Sequence, residues 1–236
     1  MSTFGFESTA DEVLAGKDLH GRTALVTGGY SGLGRETARA LAARGAHIIL
    51  AGRDATKLSA ASDEIADQTG ATIDTLVCDL ASLDSVRAAA KEALQRFDKI
   101  DLLINNAGLL QDEKLGSIDF DSIRTQMEIN AYAPLRVAEA LVSQIPYGGK
   151  IANITSRMGS IADNDSGGRY GYRASKAALN AFGKSLAMDL KPKGIAVAQL
   201  HPGYVQTRMV NFGGLITPEE SAKGLAAGIE GLNLEN

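Results

Sequence analysis

The stretch Thr23-Ala24-Leu25-Val26-Thr27-Gly28-Gly29-Tyr30-Ser31-Gly32-Leu33-Gly34 decides how this chain folds. The run from Thr23 to Val26 reads as a buried strand, and Gly34 to Ala43 as a helix stopped by Gly45. Glycines between them let the backbone turn sharply and bring a pyrophosphate against a helix N-terminus, where free N–H groups and the dipole favour anions. The spacing is T-G-x-x-x-G-x-G rather than G-x-G-x-x-G, so a plain tight turn stays open as an alternative. Its place, directly after an apolar strand and directly before a helix, favours nucleotide binding. The candidate residues here are Gly28, Tyr30, Ser31, Gly32, Leu33 and Gly34.

Outward from that turn, strand and helix patterns alternate. His47 to Ala51 and Ile73 to Val77 read as strands, with a helix over Thr56 to Gln68 between them and a second over Asp84 to Phe97, capped near Ser82. Ile100 to Ile104, Lys150 to Ile154 and Ile195 to Leu200 complete the strands. A long helix is predicted over Asp121 to Ile145, bent at Pro134 where an N–H is missing. Another carries Tyr172 and Lys176 to about Leu190, and a last one opens at Thr217-Pro218. The pattern predicts an α/β, doubly wound parallel sheet of three layers, Rossmann-like, in a single domain over 1–236 with residues 1–20 as an N-terminal extension.

The end of the second strand bears on which nicotinamide cofactor would fit. A carboxylate there would hydrogen-bond the ribose 2′-OH of NAD and repel a 2′-phosphate. This chain has Ala51-Gly52-Arg53-Asp54, with Gly52 in the acidic place and Arg53 able to grip a phosphate bidentately. NADP(H) is therefore expected. The alternative is that Arg53 is a solvated charge and Asp54, one residue late, serves NAD.

Tyr172 and Lys176 stand at i and i+4, one helical turn apart on one face. An ammonium beside a phenol favours the phenolate, so Lys176 is expected to draw the Tyr172 pKa down toward neutral. Ser156 follows the preceding strand. Tyr170 lacks a lysine four residues on and reads as a pocket wall or a surface aromatic; His20, His47 and His201 read as structural.

These elements, in order, resemble the short-chain dehydrogenase/reductase family over nearly the whole chain: Thr27-Gly28 to Gly34, Asp79-Leu80, Asn105-Asn106-Ala107-Gly108, Asn130, Ile154-Thr155-Ser156, Tyr172 with Lys176, and Pro202-Gly203 with Thr207. The resemblance implies hydride transfer between NADP(H) and a small-molecule carbonyl or alcohol. It makes Tyr172 the general acid/base, Lys176 its pKa partner and ribose holder, Ser156 the stabiliser of the substrate oxygen, and Asn130 the holder of a water toward Lys176. It gives Asp79 the adenine, Asn106 the adenosine ribose, and Thr207 with the Val205 backbone the carboxamide. Leu80, Ala107, Gly108, Pro202 and Gly203 complete the cofactor site it implies. A homodimer or homotetramer is also implied. Phe4 to Ala10 resembles the retinol-dehydrogenase-like branch, whereas His201 to Thr207 with Ile216 to Ser221 resembles the C-factor-type branch. Family members carry one further strand after the last helix, expected here to be missing, which leaves strand six as an edge. A non-catalytic NADP(H)-binding regulator or a C-factor-type signalling protein is the alternative to an enzyme.

Bulk properties agree with an ordinary globular protein: 236 residues, 44% hydrophobic and 22% charged, with net charge −4. No basic cluster of the nucleic-acid-binding kind is present, and no partner of that class is expected. The single cysteine, Cys78, lies in an apolar strand and reads as a small buried hydrophobe, and no metal site is expected. No apolar run approaches the ~20 residues of a membrane span, and the N-terminus has no secretory pattern, so a cytoplasmic location is expected. The substrate-side lining is expected from residues 109–118, 157–170 and 204–216, with Met158, Tyr204, Met209 and Phe212 hinting at an apolar ligand.

Overall fold

A computed structural model of the chain describes Leu14 and residues 16–235. The retinol-dehydrogenase-like stretch from Phe4 to Ala10 lies outside the described residues. The predicted strands form one parallel sheet: β1 (Thr23–Thr27), β2 (His47–Gly52), β3 (Ile73–Val77), β4 (Leu102–Asn105), β5 (Lys150–Ile154) and β6 (Ala196–Leu200). Their spatial order is β3-β2-β1-β4-β5-β6, the doubly wound Rossmann-like arrangement. Strand order reverses between β1 and β4, where Val26 pairs with Ile104. Among the described residues β6 pairs only with β5.

Alternation along the strands sorts side chains onto two apolar layers. Ala24, Val26, Ile48, Leu50, Ile104 and Ile154 meet α1 (Gly32–Ala42), α2 (Ala55–Thr69) and α7 (Pro218–Gly231). Leu25, Ile49, Leu103 and Ile151 meet α3 (Leu83–Arg96), α5 (Ala133–Leu141) and the end of α6 (Tyr170–Leu190). Both faces are covered, as near-continuous hydrophobic strands require. Cys78 belongs to the second layer, where burial, with a lesser effect of Asp79, pushes its thiol up to about 11. Leu14 packs in the first layer and the Leu19 N–H meets the Arg44 carbonyl, so the described end of the expected extension is built into the fold.

Helix termini follow the residues that can cap them. Asp54 caps α2, Ser82 caps α3, and Thr217 with Glu220 forms a capping box on α7. The long helix predicted over Asp121 to Ile145 is a composite. It consists of α4 (Phe120–Met127), a wide π turn over Glu128–Tyr132, α5, and a short 3₁₀ turn over Val142–Gln144. Pro134 has no N–H to offer the carbonyl of residue 130, and the ladder widens just before it, the Ala133 N–H meeting the Glu128 carbonyl. None of the helices among the described residues is long and apolar enough to cross a membrane.

Leu103 is fully buried in β4. Leu103→Ala is expected to cost about 2–5 kcal/mol in urea unfolding, against less than about 0.5 kcal/mol for the half-exposed Leu94→Ala on α3.

Candidate active site

The roots of the two loops that leave β1 and β4 are tied together. Thr27 Oγ1 accepts the N–H groups of Asn106 at 3.0 Å and Ala107 at 3.1 Å. The Asn106 amide donates back to the carbonyls of Thr27 at 3.0 Å and Gly28 at 3.4 Å. The turn that follows is closely packed. A Cβ on Gly34 would fall 2.3 Å from Asn106 Nδ2 and 2.6 Å from the Gly28 carbonyl. Gly28 has φ +65°, and a Cβ there would meet Ala107 Cα at 3.0 Å. Ser31, the N-cap of α1, makes no side-chain capping bond, so no side chain competes for the first-turn N–H groups. A cradle of bare backbone at a helix N-terminus fits an anionic pyrophosphate. Thr207 closes over it, with its methyl 3.3 Å from where a Cβ on Gly32 would be. The Thr207 N–H meets the Val205 carbonyl at 2.8 Å, and Ser221 Oγ holds the Pro202 carbonyl at 2.6 Å.

At the end of β2, Asp54 is committed. Its carboxylate accepts the Lys57 N–H at 3.1 Å and pairs with Lys57 Nζ at 2.7 Å. Asp54 is thereby tied to its own helix. Arg53 is exposed. Gly52 lies under the Tyr30 ring, and a Cβ there would fall 2.5 Å from Tyr30 Cε1, so no carboxylate could occupy position 52 while Tyr30 stays. Asp79 closes a tight turn after β3, accepting the Ala81 N–H at 3.0 Å, and Leu80 packs on the second apolar layer.

Across the crevice, β5 delivers Ser156 and α6 delivers Tyr172 and Lys176. Lys176 is buried, and Nζ donates to the Ile154 carbonyl at 2.7 Å, 5.8 Å from the centre of the Tyr172 ring. Burial lowers its pKa from 10.5 to about 8. The expectation that Lys176 depresses the Tyr172 phenol is corrected here. Burial of Tyr172 raises its pKa above the ordinary 10, and the opposing contributions come from the Ser156 hydrogen bond and the charge of Arg169. Taking a phenol out of water penalises the phenolate more than these neighbours favour it.

Asn130, in the π turn, is fully buried. Its Oδ1 accepts the Leu109 N–H at 2.7 Å, and Nδ2 donates to the Leu109 carbonyl at 2.8 Å and to Ser175 Oγ at 2.9 Å. Gly108 lies between the groups: a Cβ there would be 3.6 Å from Asn130 Oδ1 and 3.8 Å from Lys176 Nζ. Tyr170 is exposed at the start of α6, and His201, at its ring Nδ1, meets the Arg157 N–H at 3.3 Å.

Sequence reasoning missed two buried residues beside this group, Glu113 and Gln126. Gln126 Oε1 accepts the Gln111 N–H at 3.0 Å, and its Nε2 donates to Glu113. The signal was present, because Ser122, Gln126 and Asn130 repeat at i, i+4 and i+8, a polar stripe where an amphipathic helix would bury apolar residues. An open cavity of about 390 Å³ lies alongside, lined by Leu109, Glu113, Ser122 and Thr125 among others. It includes none of Ser156, Tyr172 and Lys176 and is not the crevice in which they meet.

Comparison with known proteins agrees with this geometry. The short chain dehydrogenase family model matches residues 22–213. The chain is 39% identical over 218 residues to 1-hydroxy-2-glutathionyl-2-methyl-3-butene dehydrogenase of Rhodococcus sp. (strain AD45), covering 90% of this chain and 92% of that one. It is 42% identical over 140 residues to C-signal of Myxococcus xanthus, covering 58% of this chain and 84% of that protein, in line with the C-factor-type resemblance. The structure of a short chain dehydrogenase from Burkholderia cenocepacia J2315 in complex with NADP is similar at TM-score 0.82 and 29% identity, covering 90% of this chain and 92% of that one. The chain belongs to the short-chain dehydrogenase family.

The buried ammonium of Lys176 is penalised in the folded state while it is protonated. That penalty is full below its folded pKa of about 8 and gone above 10.5, where the unfolded lysine also loses its proton. Lys176→Met is therefore expected to raise stability at pH 7 by on the order of 2 kcal/mol in urea unfolding, and the gain should vanish as pH rises through that window.

Proposed function

We propose that this chain is an NADP(H)-dependent oxidoreductase that interconverts a small-molecule carbonyl and its alcohol, with Tyr172 as general acid/base. The observation that carries the reading is the convergence of Ser156, Tyr172 and Lys176 beside a glycine cradle that leaves an anion room at the start of α1. The coenzyme, when bound, supplies or takes the hydride. Gly28, Gly32, Gly34 and the first turn of α1 would hold its pyrophosphate, Asp79 and Asn106 its adenosine half, and Val205 and Thr207 its carboxamide. Arg53 would take the 2′-phosphate. The commitment of Asp54 to α2 and the Tyr30 ring over Gly52 both weigh against NAD.

The tyrosine does proton work only. Its raised pKa keeps the phenol protonated at neutral pH, the form needed to donate to a carbonyl oxygen as that oxygen gains charge. Ser156, hydrogen-bonded to the same phenol, would hold the substrate oxygen. Lys176 would hold the nicotinamide ribose, and Asn130 would hold a water toward Lys176 through its oxygens, since both amide N–H groups are taken. Tyr204, Met209, Phe212 and Ile161 are exposed in the segments after β6 and β5, which supports an apolar substrate body.

NADPH consumption over a panel of aldehydes and ketones tests the reading. Tyr172→Phe is expected to lower kcat by about 10²–10⁴-fold while NADPH binding stays within about twofold. Equal rates in both proteins would remove the mechanism, and tight NADPH binding with no turnover of any carbonyl would favour the regulator. Rates of alcohol oxidation should climb with pH, because that direction needs the phenolate. Arg53→Ala is expected to raise the KM for NADPH by about tenfold or more and leave that for NADH unchanged. A wild-type preference for NADH would retire the role of Arg53.

A further inference from the structure

The helix that carries Tyr172 has no cap of its own. Arg169, at its N-cap position, makes no side-chain capping bond and sits in the left-handed region at φ 51°, after Gly167 and Gly168 at φ 63° and 61°. No acidic residue occupies its first turn. Helix starts ordinarily satisfy their free N–H groups with a local Ser, Thr, Asp or Asn. Here the partner comes from the loop after β4. Glu113, 3% exposed, accepts the Gly171 N–H on Oε2 at 3.1 Å, and its main-chain carbonyl accepts the Arg169 N–H at 2.9 Å. Its other carboxylate oxygen is held by Ser122 Oγ at 2.8 Å and by Gln126 Nε2, both from α4.

We infer that Glu113 is a positioning residue for the reaction: it clamps the start of α6 against α4 and so fixes the height of Tyr172 in the crevice. Gly171, the residue it bonds, directly precedes Tyr172. The fit there leaves no slack, since a Cβ on Gly171 would fall 2.5 Å from Gln126 Nε2 and 3.1 Å from Ile123 Cα. The same loop is sewn down at Leu109 by Asn130 and at Gln111 by Gln126. Asp112 adds a salt bridge to Arg169 at 3.1 Å. One short segment thus joins the π turn, α4 and the first turn of α6. Glu113 supplies the bond that reaches the catalytic helix. A carboxylate at this point also offsets the positive end of the α6 dipole, where a helix start with neither cap nor acid would fray.

This inference rests on Tyr172 as the acid/base, and the experiment separates the two. The full chain with NADPH is assayed as wild type, Glu113→Ala, Glu113→Gln and Tyr172→Phe, using the fastest aldehyde of the panel. NADPH affinity and amide hydrogen exchange over residues 168–176 are measured alongside. A misplaced catalytic group of about 1 Å can cost 10²-fold. Glu113→Ala is expected to lower kcat by about 10- to 100-fold, with KM and NADPH affinity within about threefold. Amide exchange should quicken at 169–173 and stay unchanged in the sheet. Glu113→Gln keeps an oxygen for the Gly171 N–H but turns its amide N–H groups toward Gln126 Nε2, itself a donor, so its rate and protection should fall between those of wild type and Glu113→Ala. A Glu113→Ala rate within twofold of wild type, or unchanged exchange at 169–173, overturns the clamp. Should Glu113→Ala not fold, Glu113→Asp, one methylene short of the Gly171 N–H, takes its place and is read by the same criteria. Tyr172→Phe turning over at the wild-type rate would instead overturn the chemistry, while the exchange data would still report on the clamp.

Discussion

The hydroxyl of Thr27 pins together the roots of the two loops that leave β1 and β4. β1 and β4 run side by side, yet the chain leaving β1 crosses to one face of the sheet and the chain leaving β4 to the other. Two loops diverging from neighbouring strands would otherwise leave unpaired N–H groups at the root of a crevice. Thr27 Oγ1 receives two of them, from Asn106 and Ala107, and the Asn106 amide bonds back to the turn. A β-branched residue suits the strand and its hydroxyl suits the junction, so one side chain serves both. With the roots pinned, Gly34 is forced against Asn106 and α1 starts at the floor of the crevice.

Against that floor the opposite wall is built from groups the interior disfavours. Lys176, Tyr172, Asn130, Gln126 and Glu113 are all buried. The lysine meets a main-chain carbonyl and is left with a depressed pKa. The stability that tolerates this comes from elsewhere, from the two apolar layers on β1, β2, β4 and β5. Burial also decides the resting state of the tyrosine. Desolvation outweighs the favourable neighbours, and the phenol keeps its proton at neutral pH.

Much of this was legible in the residues. Strands and crossover helices followed from apolar runs and their punctuation, because both faces of a parallel sheet demand such runs. The cradle and the Tyr172–Lys176 pair were visible because glycine spacing and an i, i+4 relation are local. What was not legible depended on distance in the chain. The phenol's direction required knowing that Tyr172 is buried while the Lys176 ammonium bonds the Ile154 carbonyl, which spacing does not convey. The break before Pro134 was foreseen as a bend, but its form, a π turn that buries Asn130, depends on Leu109 and Ser175 meeting it. Glu113 is one acid in a charged loop until Gly171 is placed beside it.

The two sides of the crevice are built on different terms. The coenzyme side is backbone, glycine and strand end, fixed by short hydrogen bonds at the sheet. The segments after β5 and β6, by contrast, hold Arg169, Asn211 and Phe212 at positive φ. A left-handed non-glycine residue costs roughly 1–2 kcal/mol and persists only where its surroundings insist. At Phe212 the insistence is the N–H bond to the Thr207 carbonyl at 2.9 Å, which keeps the ring exposed beyond the residue that closes on the cradle. At Arg169 it is the Glu113 carbonyl. Backbone strain therefore falls in these loops, and at Arg169 and Phe212 it is tied to the loop after β4 and to Thr207 beside the glycine cradle.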